Sequence, residues 1–318
     1  MGALVLGSQL RHLRECRGHS PDVLAARLPG PLCLGVDAVT ALEAGLGEGF
    51  GHDAWTGPVA AYLRGVDAGA LALADYTRIV ATYQRDHRRT VFLDDGVGGP
   101  WRYQVLEATA ARVLLTAWTS VPGPLRTAGT QAAMLMEAVS GPAAPRPALP
   151  ASSTALPHPG CDVCLMYRAA APADPSAGER WQWTVGRARA ESFDRRIGPG
   201  SGPETVLLLS EALLHQGAGG PHAHTAQMRL LADLHHRSRL QVQVVPLDSG
   251  VVLDAERAEL DLAGRTLSAR FEATGVSYRE GPRHDVAFAL ARSYDPDTSA
   301  RMLDQAADGT LRRPRRGW

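Results

Sequence analysis

The chain has 318 residues, a length typical of two domains, and 45% of them are hydrophobic, which is ample for buried cores. Lys and Arg together number 33, as do Asp and Glu, so no net charge draws the whole chain toward nucleic acid. Four cysteines are too few for a disulfide framework in a chain of this length, and reduced thiols are expected.

The first 45 residues predict three short helices in close succession. In the first, three leucines share one face, three arginines are expected to point outward, and Gly18 ends the helix (Leu6, Leu10 and Leu13; Arg11, Arg14 and Arg17). Ser20 is a good N-cap for the second helix, with Pro21 at its first position. The expected apolar stripes of the second and third helices are Val23, Leu24 and Leu28, and Val36, Val39 and Leu42. Helices this short bury apolar surface only by packing together, which favours a helix-turn-helix arrangement that ends at Gly45.

The segment from Leu6 to Gly45 resembles the lambda-repressor-like (XRE-type) helix-turn-helix regulators. More narrowly, it is similar to a group in filamentous actinobacteria that joins this domain to a C-terminal domain of unknown function. In that group the second helix usually opens with Ser-Gln, and the third carries Ser, Thr and Arg toward the DNA groove. Here Pro21 replaces the Gln, Ala41 and Ala44 replace common arginines, and the turn Leu28–Gly35 is longer than usual. The resemblance implies a homodimer that binds DNA with fewer base-reading side chains.

Few residues are available to contact DNA in such a complex. Thr40 is the plausible base reader, whereas Asp37 would repel phosphate unless it paired with cytosine, and Ser20 and Cys33 flank them. Four arginines could bind backbone phosphates, which position a protein without specifying a sequence (Arg11, Arg14, Arg17 and Arg27). The alternative is a helix-turn-helix fold that no longer binds DNA.

Helical periodicity continues from Pro58 to His87, with a break at Asp67–Gly69 that divides two helices. These helices are expected to close an N-terminal helical domain over residues 1–90. The basic run Arg85–Arg89 is interpreted as a solvated helix end rather than a phosphate clamp. Asp94–Pro100 is predicted to be a turn-rich connector.

A C-terminal α/β domain is predicted over residues 101–310. It opens with a long amphipathic helix from Tyr103 into Trp118, followed by Val121-Pro-Gly-Pro-Leu-Arg-Thr127, a rigid elbow before a helix over Thr130–Val139. The elbow is similar to the Val-Pro-Gly-Leu-Leu-Gln-Thr signature of the same actinobacterial group, with Pro124 and Arg126 substituted. It is interpreted as scaffold, with a ligand-binding elbow as the alternative.

The rest of the chain predicts alternating helices and strands after a Pro-rich insertion at residues 140–180. The predicted elements are an Arg-rich helix over Arg187–Arg196, a buried strand over Thr205–Leu209, a helix over Thr225–His236 and a strand over Leu240–Pro246, then short strands at Leu260–Leu262, Thr266–Phe271 and Val276–Tyr278, and helices at Val286–Ser293 and Asp297–Gln305. This order again resembles the C-terminal domain of that group.

Two features of the second half could bind ligands. Cys161 and Cys164 have the CxxC spacing of a zinc half-site, which His222 and His224, or His235 and His236, could complete; two reduced thiols in a loop are the alternative. Arginines near position 190 could receive an anionic ligand, or could lie on a solvated face paired with acids (Arg187, Arg189, Arg195 and Arg196).

No apolar run is long enough to cross a bilayer and no secretory leader is recognisable, so a cytoplasmic location is expected. The sequence shows no GxSxG motif, P-loop or dinucleotide fingerprint, so the motifs do not support an enzyme. We therefore expect a DNA-binding transcriptional regulator whose C-terminal domain senses a small molecule or a partner protein. The alternatives are a repurposed member that has lost sequence-specific DNA binding and acts as a metal-binding protein or an enzyme, and a pure protein-interaction module.

Overall fold

The computed structural model describes residues 2–28, 34–45, 56–68, 74–81, 91–94, 99–127, 129–130, 133, 203–215, 219–253, 256–262, 264–272 and 275–312. They form two compact units. The first comprises the described residues up to Thr109 together with Glu272–Glu280, and the second comprises the others. The first unit is mainly helical and the second is a mixed sheet with helices, which confirms the predicted fold class at this level.

Short helices and one strand pair make up the described part of the first unit. Its elements are α1 (Gly2–Cys16), α2 (Pro21–Ala26), α3 (Val36–Glu43), α4 (Thr56–Gly65), α5 (residues 74–81), β1 (Val91–Asp94), α6 (Gly99–Thr109) and β7 (Gly275–Glu280), with β1 and β7 antiparallel.

The local signals at the helix ends act as predicted. The Ser20 hydroxyl accepts a hydrogen bond from the Val23 backbone N–H at 3.2 Å, and Pro21 opens α2. Gly18 and Gly45, which follow α1 and α3, have φ values of 64° and 68°, where glycine avoids the strain that a Cβ would cause. The predicted break between two helices is present as well, and Asp67 lies there at φ 54°.

The apolar stripe of α1 is buried as predicted, and it packs with Val39 and Leu42 of α3. Two of the expected core residues are exposed instead, namely Val23 (44%) and Val36 (38%). The reason is the length of these helices: α2 has six residues and α3 has eight, so each turns only part of its surface toward the core.

Arg14 is buried, so the prediction that it points outward was wrong. Its Nε and Nη2 donate to the two carboxylate oxygens of Glu43 at 2.6 and 2.7 Å, and its Nη1 donates to the His19 carbonyl at 2.6 Å. The side chain lies one turn after Leu10, and α1 contacts both α3 and α6, so its buried face is wider than one leucine stripe. The hydrogen bond to Glu43 raises the pKa of Arg14 above its ordinary value, so the guanidinium stays charged.

Tyr62 extends this buried pair to α4. Its hydroxyl lies 2.5 Å from Oε1 of Glu43 and 2.8 Å from the carbonyl oxygen of Leu10, and it can donate its proton to either. Burial, and then the Glu43 carboxylate, raise the pKa of Tyr62 well above its ordinary value. The cluster of Arg14, Glu43 and Tyr62 therefore connects α1, α3 and α4.

A second buried cluster holds α6 in place. Arg102 is 0% exposed, and its Nε and Nη2 donate to the two carboxylate oxygens of Asp94, at the end of β1, at 2.6 and 2.5 Å. Its Nη1 donates to Asp75 of α5 at 2.5 Å, and its guanidinium lies 5.4 Å from the ring centre of Tyr76. This guanidinium thus joins α6, β1 and α5.

The second unit is built on five strands in the order β6-β5-β2-β3-β4. Strands β2, β3 and β4 are parallel; β5 pairs antiparallel with β2, and β6 pairs antiparallel with β5. Its elements are β2 (Arg112–Ala117), β3 (Glu204–Ser210), α7 (Ala212–His215), α8 (Gly220–His236), β4 (Gln241–Val245), β5 (Arg257–Leu262), β6 (Arg265–Glu272), α9 (His284–Arg292) and α10 (Pro296–Ala307).

The predicted helix running into Trp118 was wrong in its second half. The helix α6 ends at Thr109, and the chain continues as β2, in which Val113 and Leu115 are completely buried. Because the run Val-Leu-Leu is apolar on both faces, it has no alternating pattern, and it continued the helical spacing of α6 by coincidence.

Most later elements are confirmed: the strands β3 and β4, the short strands β5 to β7, and the helices α8, α9 and α10. The helix predicted over Thr130–Val139 is described only at residues 129–130 and 133, which are helical. The insertion at residues 140–180 and the Arg-rich helix fall outside the described residues.

The outer edge of β4 is covered by the connection between α9 and α10. The Val244 N–H donates to Ser299 Oγ at 2.9 Å, and the Val244 carbonyl accepts from the Tyr294 N–H at 2.8 Å. On the same outer edge, near the start of the strand, the Val242 N–H donates to Nδ1 of His235 at 3.0 Å, so this imidazole acts as an acceptor. Across the described residues, no helix is long and apolar enough to span a membrane.

We predict that Glu43→Leu destabilises the first unit by about 3 to 5 kcal/mol, because it leaves the Arg14 charge buried without a partner. The double variant Arg14→Met/Glu43→Leu should recover most of that loss, since both charges are then absent. Native-state hydrogen exchange of α1 and α3 peptides measures the change. Arg11→Met, which removes the exposed ion pair to Glu15, is the control, and it should cost less than about 0.5 kcal/mol. A double variant as unstable as the single one would contradict the prediction.

We predict that the second unit loses stability as the pH falls below the ordinary histidine pKa of 6.5, because burial and the neighbouring His236 lower the pKa of His235. The unfolded chain then binds a proton that the folded chain excludes, so the contribution of His235 is present above that pH and is lost below it. Thermal unfolding at about pH 8 and about pH 5.5 should show a smaller pH dependence in His235→Asn, whose amide oxygen can still accept from Val242. The exposed His222→Asn should behave as the parent chain does; equal slopes in all three proteins would refute the assignment.

Candidate functional site

The first candidate surface is the exposed side of α2 and α3. The side chains exposed there are Asp22, Val23, Ala26 and Arg27 from the region of α2, and Val36, Asp37, Thr40 and Ala44 from the region of α3. We call this surface the α2–α3 face. It contains three members of the predicted DNA-contacting set, Arg27, Asp37 and Thr40.

Two predicted polar contacts have local roles in helix structure. Ser20 uses its hydroxyl to cap α2, so that oxygen is already occupied by the Val23 N–H. Thr40 is exposed, and its hydroxyl donates to the Val36 carbonyl one turn earlier at 2.9 Å. The acceptor lone pairs and the methyl group of Thr40 still face outward, and a base edge could contact either.

The predicted phosphate-binding arginines differ in their availability. Arg14 is 6% exposed and is paired with Glu43, so it is not available to bind a DNA phosphate. Arg17 donates to the Val66 carbonyl at 2.7 Å and to the Asp67 carbonyl at 3.3 Å, which ties α1 to the end of α4. Arg27 is exposed at the end of α2. The cation that the α2–α3 face offers is therefore Arg27, opposed by the carboxylates of Asp22 and Asp37.

The second candidate surface lies at the carboxyl ends of the parallel strands of the second unit. Ligands of parallel α/β sheets usually bind at this edge, because the loops that follow the strands meet there. After β2 comes the elbow Val121–Thr127, which contains a turn of 3-10 helix over Gly123–Leu125. It follows a strand rather than the predicted helix.

Gln227 of α8 fixes this elbow. Its side chain is 2% exposed; Nε2 donates to the Leu125 carbonyl at 2.7 Å, and Oε1 accepts from the Thr127 N–H at 2.9 Å. Arg126 adds a hydrogen bond to the Val121 carbonyl at 2.6 Å and an ion pair with Glu256 at 3.6 Å. Both polar ends of Gln227 are used inside the fold, which favours the scaffold interpretation of the elbow.

Four polar side chains surround the ends of β3 and β4, and we call them the strand-end cluster (Glu211, His215, Asp248 and Tyr294). Glu211 Oε2 accepts from the Leu247 N–H at 2.9 Å, and its Oε1 lies 3.9 Å from His215 Nε2. That imidazole nitrogen is buried without a hydrogen-bond partner. Burial, followed by the charges of Glu211 and Asp248, raises the pKa of Tyr294, and the Tyr294 backbone N–H donates to the Val244 carbonyl of β4 at 2.8 Å.

Sequence reasoning did not find the strand-end cluster. Its four residues come from three segments that are far apart in the chain; the pairing of β3 with β4 brings two of them together, and the Tyr294 N–H, which donates to the Val244 carbonyl, brings the third to β4. The available signal was the position of Glu211 and Asp248 shortly after two buried strands.

The predicted zinc site remains a prediction. Cys161 and Cys164 lie outside the described residues, while His222 is exposed on α8 and His224 Nε2 lies 3.1 Å from the Leu214 carbonyl. In the described part of the chain, no group of three or more His, Cys, Asp or Glu side chains is placed to hold a metal ion. The anion site at Arg187 and Arg189 also falls outside the described residues.

Comparison with protein families matches residues 165–313 to the family described as Domain of unknown function (DUF5753). Comparisons with curated proteins and with solved structures find no match. The matched segment covers β3 to α10 and less than half of the chain, so it leaves α1 to α6, β1 and β2 unassigned. A C-terminal domain of unknown function is therefore present, and it is compatible with the group that the sequence resembles.

We predict that Gln227→Leu loosens the elbow, because it leaves the buried Leu125 carbonyl and Thr127 N–H without partners, at a cost of about 1 to 3 kcal/mol. Hydrogen exchange of a peptide spanning Val121–Thr127 should become faster, while exchange in β3 and β4 should change little. Arg229→Leu, an exposed substitution two residues further along α8, is the control. Unchanged exchange in the Gln227 variant would show that the elbow is held by other contacts.

Proposed function

We propose that the chain is a DNA-binding transcriptional regulator of the lambda-repressor-like (XRE-type) helix-turn-helix kind, in which the α2–α3 face contacts DNA as part of a homodimer. The observation that carries this proposal is the packing of α1, α2 and α3. Helices α2 and α3 contact each other, α3 contacts α1, and the Ser20 cap and the buried Arg14–Glu43 pair fix their ends. The family match at residues 165–313 is compatible with such a regulator.

DNA binding by this face would depend mainly on phosphates. Arg27 is exposed, whereas Arg11 is paired on the surface with Glu15 at 2.7 Å, an interaction weak enough for a phosphate to compete with it. Thr40 is the polar uncharged side chain exposed on α3, so few base edges can be read directly. The proposal therefore implies that each α2–α3 face distinguishes its half-site from other DNA sequences only modestly.

The second unit would supply the regulatory input. The strand-end cluster and the elbow lie at the edge of the parallel strands where ligands of such sheets usually bind. A small molecule or a partner protein that bound there in only one arrangement of the protein would shift the balance toward or away from DNA binding.

One observation favours a second candidate, a repurposed member that has lost sequence-specific DNA binding. The α2–α3 face carries the carboxylates of Asp22 and Asp37, and it exposes Val23 (44%) and Val36 (38%). Carboxylates repel phosphates and exposed valines suit a protein surface, so this face would then bind a protein instead.

We predict that the full chain binds DNA upstream of its own gene more tightly than a scrambled duplex, with an affinity that falls as salt rises. Arg27→Ala should lower the slope of log affinity against log salt by about 1 for each lost phosphate contact. Thr40→Ala should lower the ratio of the affinity for the specific duplex to the affinity for the scrambled duplex. It should leave the slope of log affinity against log salt unchanged. Fluorescence anisotropy over a salt series measures both quantities.

Arg237→Ala is the matched control, because it removes another exposed arginine, this one from the second unit, and should alter neither quantity. If the parent chain bound both duplexes equally well, the proposal of a DNA-binding regulator would be contradicted and the second candidate would be favoured. An Arg237 effect as large as the Arg27 effect would mean that binding reflects overall charge rather than the α2–α3 face.

A further inference from the structure

The strand-end cluster contains a carboxylate and an imidazole whose polar atoms are not fully used inside the fold. The side chains of Glu211 and His215 are only 13% and 11% exposed. Glu211 Oε2 accepts from the Leu247 N–H at 2.9 Å, whereas its Oε1 lies 3.9 Å from His215 Nε2. That distance is too long for a hydrogen bond, and the imidazole nitrogen is buried without a hydrogen-bond partner among the described residues. Two polar atoms are therefore close enough for one donor group to contact both.

The charge around this pair is negative. Asp248 is exposed in the 3-10 turn that follows β4, and in the part of the chain that the structure describes no arginine is paired with Glu211 or Asp248. The chain also contains no lysine. A carboxylate that is largely removed from water is costly unless a cation or several hydrogen bonds compensate it, and a neutral imidazole offers a lone pair but no positive charge. The pair therefore favours a cation that can also donate hydrogen bonds.

Apolar surface adjoins the pair. Leu247, whose backbone N–H is bound to Glu211, is 53% exposed. Tyr294 is 36% exposed, and its backbone N–H donates to the Val244 carbonyl near the end of β4 at 2.8 Å. Burial, and then the charge of Glu211, raises the pKa of Tyr294, which agrees with this placement. Binding sites commonly combine a few polar groups with such apolar side chains, so a ligand with an apolar body suits this one.

We propose that the strand-end cluster binds a small primary amine in its ammonium form, carried on an apolar body. The ammonium would donate one hydrogen to Glu211 Oε1 and a second to His215 Nε2. A nitrogen about 2.8 Å from both atoms would subtend an angle of about 90° between them, which suits two hydrogens of a tetrahedral ammonium. Two protein ligands are too few for a metal ion, and the described residues contain no group of three or more His, Cys, Asp or Glu side chains placed to hold one.

This inference rests on the proposed function in one respect, since it names the class of ligand that the second unit would sense. The test avoids DNA, so the two proposals can fail separately. Ligand-observed NMR titration of the full chain with phenethylamine, at about pH 8, measures the dissociation constant where an ordinary imidazole is neutral and an alkylammonium is charged. Two analogues should each bind at least about tenfold more weakly: 2-phenylethanol, which lacks the charge, and trimethyl(phenethyl)ammonium, which lacks the N–H donors.

Variants of the pair give the second readout. Glu211→Gln should weaken phenethylamine binding at least about tenfold, and its amide oxygen can still accept from the Leu247 N–H, so the loop stays in place. His215→Phe removes the second acceptor at similar size and should weaken binding about threefold or more. Glu204→Gln is the matched control, because Glu204 lies at the opposite end of β3 with its side chain 62% exposed, and it should leave binding unchanged.

The inference would be overturned by a parent chain that binds phenethylamine no better than 2-phenylethanol. Equally tight binding of the trimethylammonium analogue, or a dissociation constant unchanged by Glu211→Gln, would also overturn it. Amine binding by a chain that binds no DNA would uphold this site and overturn the proposed regulator. Specific DNA binding by a chain that binds no amine would overturn the ligand class alone.

Discussion

The arrangement of α1, α3 and α4 depends on a buried ion pair between Arg14 and Glu43, to which Tyr62 is hydrogen-bonded. Two charges removed from water must be fully paired, because the free-energy penalty of burying one unpaired charge exceeds the stabilisation that any single contact provides. Here the guanidinium donates twice to the carboxylate and once to a backbone carbonyl, and Tyr62 supplies a further hydroxyl to the same carboxylate. Glu43 is the last residue of α3, so the pair fixes where α3 ends relative to α1. The exposed side of α3, which carries Thr40, is therefore positioned by polar contacts on its buried side.

In each unit, a buried polar side chain also joins several helices, strands or turns through hydrogen bonds, although the chemical groups differ. Arg102 joins α6, β1 and α5 of the first unit through two carboxylates, whereas Gln227 ties α8 to the elbow of the second unit through a neutral amide. Such groups add little net stability compared with an apolar core, since their desolvation offsets most of the gain. They restrict the number of arrangements the chain can adopt, because any other packing leaves a buried donor or acceptor unpaired. Both units are thus held in a specific arrangement by a few fully paired polar side chains.

The sequence was informative where a signal is local and failed where the decision is tertiary. Ser20, Pro21, Gly18 and Gly45 set the helix ends through their own backbone chemistry, so these features were predictable. The burial of Arg14 was not, because an arginine on a helix is inward or outward according to a carboxylate that lies 29 positions away. The strand β2 was missed for a related reason: a strand buried on both faces lacks alternation, and only its pairing with β3 and β5 distinguishes it from a helix. The strand-end cluster was missed because strand pairing assembles it.

The exposed side of α2 and α3 places one requirement on the proposed regulator. An α2–α3 face with one exposed arginine and Thr40 can distinguish one half-site sequence from another only weakly. Phosphate contacts are independent of sequence, and one threonine can contact few base edges. Linking two such faces makes the second contact effectively intramolecular, so the discrimination of the two half-sites combines and their spacing becomes a further criterion. A regulator with few base-contacting side chains therefore depends more on a stable dimer than does a regulator whose recognition helix contacts many bases.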